Sequence, residues 1–268
     1  MSRVAVLQAV SVANVRHNLD ALLPWFLSAK DQGVDLLILP ENFAYIGVNE
    51  HDKLLIAERL DEGEIQYTIA QLAKRFKLWV VAGTLPVLAQ HNRVRASCLV
   101  FDEAGARVAC YDKIHLFDVD VPDGERYQES LTIEPGHTVT VVDTPVGCLG
   151  LSVCYDVRFP ELYRQLVLKG AQLFAVPSAF TAVTGAAHWE VLLRARAVEN
   201  LCYVLAANQG GQHENGRLTH GQSMIIDPWG GILGEAACGP GLVVADIDLS
   251  YLHTLRQRFP CNNHHKMV

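Results

Sequence analysis

Apolar residues recur along this chain in two rhythms. Short runs dense in Val, Ile, Leu and Ala, bounded by Pro, Gly, Asn or Asp, predict strands at 3–10, 34–39, 78–88, 96–101, 107–112, 138–143, 148–153, 171–176, 202–207, 221–227 and 242–247. Between them, apolar residues spaced three and four apart predict helices over 15–32, 62–77, 160–169, 188–201 and 249–258. Two segments repeat each other: "GVDLLILPENF" (33–43) and "GAQLFAVPSAF" (170–180) share Gly, Leu, Pro and Phe in register, each after a strand and a helix. Two strand-helix-strand units predict parallel strands joined by right-handed crossovers, and the strands left over predict a second sheet. The expected fold class is α/β, a four-layer α-β-β-α sandwich of two mixed β-sheets with helices on both outer faces. No Pro-, Gly- or Ser-rich linker breaks the pattern, so residues 1–268 read as a single domain with 260–268 as a C-terminal tail.

Composition narrows the function classes. Half of the 268 residues are apolar and 19% are charged, enough to bury a large core. The formal charge is −7 and the 22 Lys and Arg are scattered, so nucleic acid is not an expected partner. The start, "RVAVLQAV", has neither the layout of a signal peptide nor the length of a membrane span, and the expectation is a soluble, cytoplasmic protein with no membrane partner. Seven cysteines, with no Cys-x-x-Cys spacing, argue against a disulfide framework and a structural zinc site.

Ligands of open α/β sheets collect beyond the carboxyl ends of strands, and three predicted strand ends carry Glu41, Cys154 and Ser178. Pro160 and Glu161 suit the first turn of a helix, so the preceding strand is expected to aim Cys154 at oriented N–H groups that favour its thiolate. A thiol nucleophile needs a base and a stabiliser for the developing charge. Glu41 ends the apolar run "LLILPE", where burial would suit it to shuttling a proton, and Lys113 closes another apolar run in "ACYDKIHLF". His115 and His188 sit in apolar-polar alternations and read as supporting groups rather than as the base.

In chain order, "LPENF", "YDKIHLFDVD", "QES", "CYDVRFPE", "TGAAHWEVLLRARAVEN" and "HGQSMIIDPWG" resemble the nitrilase superfamily of carbon–nitrogen hydrolases across nearly the whole sequence. Within it they are most similar to the branch of deaminated-glutathione amidases and omega-amidases. The resemblance implies a nitrilase-like sandwich and a catalytic set of Glu41, Lys113 and Cys154. It also implies a second glutamate, matched by Glu129; on its own residues Glu129 reads equally as an exposed loop acid. The implied reaction is hydrolysis of a small amide through a thioester, with Lys113 and the Tyr155 backbone N–H facing the oxyanion. It requires no metal or organic cofactor.

Substrate choice is less defined. Thr184, His188 and Trp189 precede an apolar helix face of Val191, Leu192, Ala195 and Val198; the three would line a pocket wall, or Trp189 and the helix would pack in the core or at a subunit contact. Arg158 would bind a substrate carboxylate, or pair with Glu161 as scaffold. The resemblance implies deaminated glutathione as substrate, with α-ketoglutaramate or an N-carbamoyl amino acid as alternatives. Ala186, Asp112 and Gln222 depart from the usual motif: Ala186 would loosen a loop where Pro is usual, and strand alternation points Asp112 away from Lys113. A non-catalytic binding module and a thiol acyltransferase remain competing classes. The resemblance implies a homodimer through helix faces or a higher even oligomer, and the tail "CNNHHKMV" reads as a frayed terminus whose histidines lack a ligand partner pair.

Overall fold

Val4 and Val6 face one core while Ala5 and Leu7 between them face another, all fully buried. Such a strand shows no polar alternation because neither face meets water. In this computed structural model, which describes residues 2–121, 126–264 and 266, the same double burial recurs along the central strands. The strands in chain order are Ser2–Gln8 (β1), Leu36–Ile38 (β2), Trp79–Leu88 (β3), Val94–Phe101 (β4), Arg107–Asp112 (β5), Asp118–Asp120 (β6), Arg126–Gln128 (β7) and Val141–Thr144 (β8). They continue as Gly147–Leu151 (β9), Leu173–Ala175 (β10), Tyr203–Ala206 (β11), Gly210–Gln212 (β12), Leu218–His220 (β13), Met224–Ile226 (β14), Ile232–Glu235 (β15) and Gly241–Ile247 (β16). The helices are Val15–Asp20 (α1), Leu23–Asp31 (α2), Glu64–Phe76 (α3), Pro160–Leu168 (α4), Ala182–Asn200 (α5) and Leu249–Arg258 (α6).

Two six-stranded mixed sheets result, ordered β16-β1-β2-β3-β4-β5 and β15-β14-β11-β10-β9-β8. In each, three central strands are parallel, β1-β2-β3 and β9-β10-β11, flanked by antiparallel neighbours. Residues 33–43 and 170–180 occupy equivalent positions: β2 and β10 are the middle parallel strands. The glycines that open the two segments, Gly33 and Gly170, both take positive φ, +71° and +98°, after a helix end. Phe26, Ile69 and Phe76 of α2 and α3 pack on Leu37, Val80 and Leu99, the outer face of the first sheet. Val6, Ile38 and Val100 on its inner face share a core with Leu149, Leu173 and Val204 of the second sheet, onto whose core Tyr163 of α4, Trp189 of α5 and Leu252 of α6 also pack. Each fully buried side chain of this size contributes about 1.5–3 kcal/mol.

Three expectations are corrected. The helix predicted over 15–32 is two helices, because Pro24 cannot donate the bond that would continue α1 and instead sits in the first turn of α2. The helix predicted from 188 begins at Ala182, capped by the Thr181 hydroxyl, so Ala186 lies within α5 and not in a loop. Gly185 in this helix serves packing: a Cβ would stand 2.2 Å from His220 Cβ, so glycine lets α5 approach β13. The beginning of the tail is not frayed: Cys261–His264 forms a short 3₁₀ turn, and Asn262 bonds the Asn200 carbonyl and Arg164 at 2.8 and 3.0 Å. His265 and residues 267–268 of that tail lie outside the described residues.

Candidate active site

The ends of β2, β5 and β9 converge with the turn after β7. Pro40 and Glu41 follow β2, and Gly83 on the neighbouring β3 makes room for them: a Cβ there would meet the Pro40 carbonyl oxygen at 1.9 Å. Asn42 then takes a left-handed φ of 57°, its N–H bonded to Thr84 Oγ1, while Gln209 Nε2 donates to the Glu41 carbonyl. Alternation along β5 turns Tyr111 and Lys113 inward and Asp112 outward, where Asp112 accepts from Ser97 and Arg95. Glu129 opens a 3₁₀ turn, and one of its oxygens accepts the Phe117 N–H at 2.8 Å.

Cys154 departs from the strand line. Its φ is +49°, a conformation that costs a non-glycine residue on the order of 1–3 kcal/mol, and it opens a 3₁₀ turn over Cys154–Arg158. Asp156 holds this turn: its buried carboxylate accepts the Val153 N–H at 2.8 Å, the Tyr111 hydroxyl at 2.7 Å and the His115 N–H at 3.1 Å, and contacts His115 Nδ1 at 2.7 Å. The Cys154 N–H donates to the Pro177 carbonyl at 2.9 Å.

The Lys113 ammonium, fully enclosed, donates to Glu41 at 2.8 Å and to both oxygens of Glu129 at 3.0 and 2.9 Å. Burial opposes its charge, but Glu129 and Glu41, with Cys154, outweigh that and raise its pKa well above the ordinary lysine value. Burial likewise works against the Glu129 carboxylate, and Lys113 and Lys53 together overcome it, so the group titrates below the usual range. Burial pushes the Cys154 thiol up, Glu41 pushes it further, and the Lys113 charge and the Ala179 amide only partly offset them. That direction favours a protonated thiol at rest and runs against the expected thiolate. Pro160 begins α4 only after the 3₁₀ turn, so the end of that helix does not stand under the sulfur.

Glu41, Glu129 and Cys154 line a narrow cavity, together with Tyr155, Arg158 and Thr184 from the expected substrate-binding set. Arg158 is not paired with Glu161; its guanidinium lies over the Tyr155 and Phe180 rings at 5.7 and 5.3 Å and contacts His188 Nδ1 at 3.2 Å. His188 thus stands behind Arg158, outside the cavity lining. Trp189 does not line it either: the indole is buried against Phe180 and donates to the Gln222 carbonyl at 2.8 Å. Ser178 is buried beside Cys154 with its hydroxyl turned to the Val176 carbonyl, and His115 stacks on Phe159 at 3.7 Å. Sequence reading missed Phe117, Phe180, Asn42 and Arg217, which complete the walls. The Asn215-Gly216 pair, a hairpin signal, was the available clue to Arg217. Among the described residues no group of three His, Cys, Asp or Glu is arranged to hold a metal ion.

A layered α/β sandwich with an enclosed thiol, ammonium and two carboxylates at its strand ends fits a hydrolase of carbon–nitrogen bonds. Residues 3–257 match the carbon-nitrogen hydrolase family, and the chain belongs to that family, whose members hydrolyse amides. It is 42% identical to the deaminated glutathione amidase of Yersinia enterocolitica, covering 100% of this chain and 94% of that protein. It is 41% identical to the Mus musculus protein of the same name, over 98% of this chain and 83% of the other. Among solved structures, the Caenorhabditis elegans NitFhit protein superimposes with a TM-score of 0.93 at 39% identity, covering 99% of this chain and 65% of that one. Saccharomyces cerevisiae Nit3, a member of branch 10 of the nitrilase superfamily, superimposes with a TM-score of 0.86 at 31% identity, over 97% and 94% of the two chains.

Proposed function

We propose that the protein is a cysteine-dependent amidase that hydrolyses deaminated glutathione to 2-oxoglutarate and cysteinylglycine. The observation that carries this reading is the enclosed Lys113 shared by Glu41 and Glu129 next to the Cys154 thiol, in a cavity whose Arg158 has no carboxylate partner among the described residues. The names of the relatives at 41–42% identity support the choice of substrate.

As the Cys154 sulfur attacks the amide carbonyl, Glu41 takes the thiol proton, so charge leaves the sulfur as it forms a bond instead of being stored there beforehand. The carbonyl oxygen becomes an oxyanion facing the Tyr155 N–H, one of the first amides of the 3₁₀ turn and without a partner inside that turn. All three hydrogen bonds of the Lys113 ammonium go to carboxylates, so it stabilises the oxyanion through its charge. Collapse breaks the C–N bond, and the proton on Glu41 passes to the departing amine. Glu41 then accepts a proton from water as that water attacks the thioester; the C–S bond breaks, the acid leaves, and the proton returns to sulfur. Glu129 holds Lys113 in place throughout. Arg158 and Thr184 take the carboxylate of the acyl chain.

The working assembly is a single domain, residues 1–268 with a tail from 260, paired as a homodimer. Val191 and Val198 on α5, 62% and 46% exposed beside Ala195, support a second copy seating there. Seven free cysteines support a cytoplasmic location, and no helix among the described residues is long and apolar enough to cross a membrane.

Intact mass after acid quench should detect an acyl adduct on Cys154 with deaminated glutathione, and Cys154→Ala should lose roughly 10⁴-fold or more in kcat. Turnover retained by that variant would overturn the reading.

A further inference from the structure

Besides Arg158, a second arginine faces the space around the thiol. Arg217 precedes β13 in the β12–β13 hairpin and is held from several sides. Its N–H donates to Asn215 Oδ1 at 3.0 Å, and Asn215 Nδ2 in turn donates to the Gly47 carbonyl at 2.8 Å. One Arg217 Nη donates to the Ala179 carbonyl at 2.6 Å, and the guanidinium lies 5.1 Å from the Tyr127 ring centre. Its Nε is buried without a hydrogen-bond partner, and among the described residues no carboxylate pairs with it. A half-buried guanidinium fixed from several sides and without a carboxylate partner among the described residues is arranged to take a planar anion.

Its position indicates which anion. Arg217 and Asn42 line both the narrow cavity over Cys154 and an adjoining outer groove of about 410 Å³. That groove also carries Asn49, Arg126 and Lys53, the last paired with the groove's own Glu50 at 2.7 Å. An acyl chain that ends in a carboxylate has Arg158 and Thr184 within the inner cavity. A departing amine larger than ammonia needs the outer groove, and its path runs past Arg217. We infer that Arg217 is a specificity-determining residue that binds a carboxylate on the leaving-group side of the scissile bond. The site then favours amides whose departing amine is itself an acid, such as a short peptide, over primary amides that release ammonia. This inference rests on the thioester reading above and assigns the two carboxylates of the substrate to two different arginines.

The test measures kcat and KM for deaminated glutathione, its C-terminal carboxamide and α-ketoglutaramate with the wild type, Arg217→Gln and Arg217→Lys. In the wild type, kcat/KM should favour the acid over the carboxamide by roughly 10- to 100-fold, the range expected for a charge-assisted hydrogen bond. Arg217→Gln should bring that ratio close to one through KM, with a smaller loss on α-ketoglutaramate than on deaminated glutathione. Arg217→Lys, which keeps the charge without the fork, should restore part of the preference. Equal losses on all three substrates, as from a disturbed hairpin or a misassigned acyl carboxylate, would overturn the inference, as would a wild type indifferent to the carboxamide. Absence of wild-type turnover on every substrate, or turnover kept by Cys154→Ala, would instead remove the thioester reading on which it rests.

Discussion

The Asp156 carboxylate accepts the Tyr111 hydroxyl at 2.7 Å and so ties the turn that carries Cys154 to β5, the strand that leads into Lys113. The two groups belong to different sheets, and this buried bond sets their spacing. Asp156→Asn keeps the shape but removes the charge and turns one acceptor into a donor facing other donors, at about 1–3 kcal/mol. Reacting groups displaced by about an ångström lose up to about 100-fold in rate. The variant should therefore show both a lowered Tm and a kcat reduced at least about ten-fold. Full kcat in a destabilised protein would mean that Asp156 supports the fold alone.

Gly83→Ala tests how tightly the first sheet braces Glu41. The added Cβ would meet the Pro40 carbonyl oxygen, a backbone atom that cannot swing aside. Overpacking of this kind costs about 1–3 kcal/mol. Thermal melts should show that loss, and kcat should fall further than in a core variant of equal Tm far from the site.

With burial and Glu41 holding the Cys154 thiol above its ordinary value of 9.0, the free enzyme keeps this sulfur protonated at neutral pH. Alkylation of Cys154 by iodoacetamide, followed by peptide mass spectrometry, should show no thiolate wave between about pH 6 and 9. A wave centred below neutrality would mean that a preformed thiolate attacks the substrate.

Glu129 titrates in the folded state below its ordinary 4.5 because Lys113 and Lys53 overcome the cost of its burial. Its share of stability is present above that ordinary value and disappears as pH falls through the lowered folded value. Urea melts should show Glu129→Gln less stable than wild type at pH 7, with the gap closing as pH falls below that ordinary value. A gap that widened in acid would reverse the assigned sign.

Much of this was legible in the residues, for reasons that differ by position. Glu41, Lys113 and Cys154 each end an apolar run, which made them candidates, and the order of the motifs, through the family resemblance, implied that they meet. The double burial of β1 and β10 likewise followed from uninterrupted apolar residues. Period and composition do not report close approach between distant segments. The close approach of Gly185 to His220, 35 residues on, is of that kind. Trp189 could not be assigned to core or pocket wall until its indole was seen bonded to Gln222. The three-residue strands β6, β7, β12 and β13 are too short to show a period, and with them Arg217 went unread.

Glu41 and Lys113 extend from one six-stranded sheet and Cys154 from the other, which makes hydrolysis a gauge of the seam between them. A chain whose sheets had each formed but slid slightly apart would keep its ellipticity and hydrolyse nothing. On gentle denaturation, silence in the assay should therefore precede any loss of secondary structure, and on refolding it should be the last thing to end.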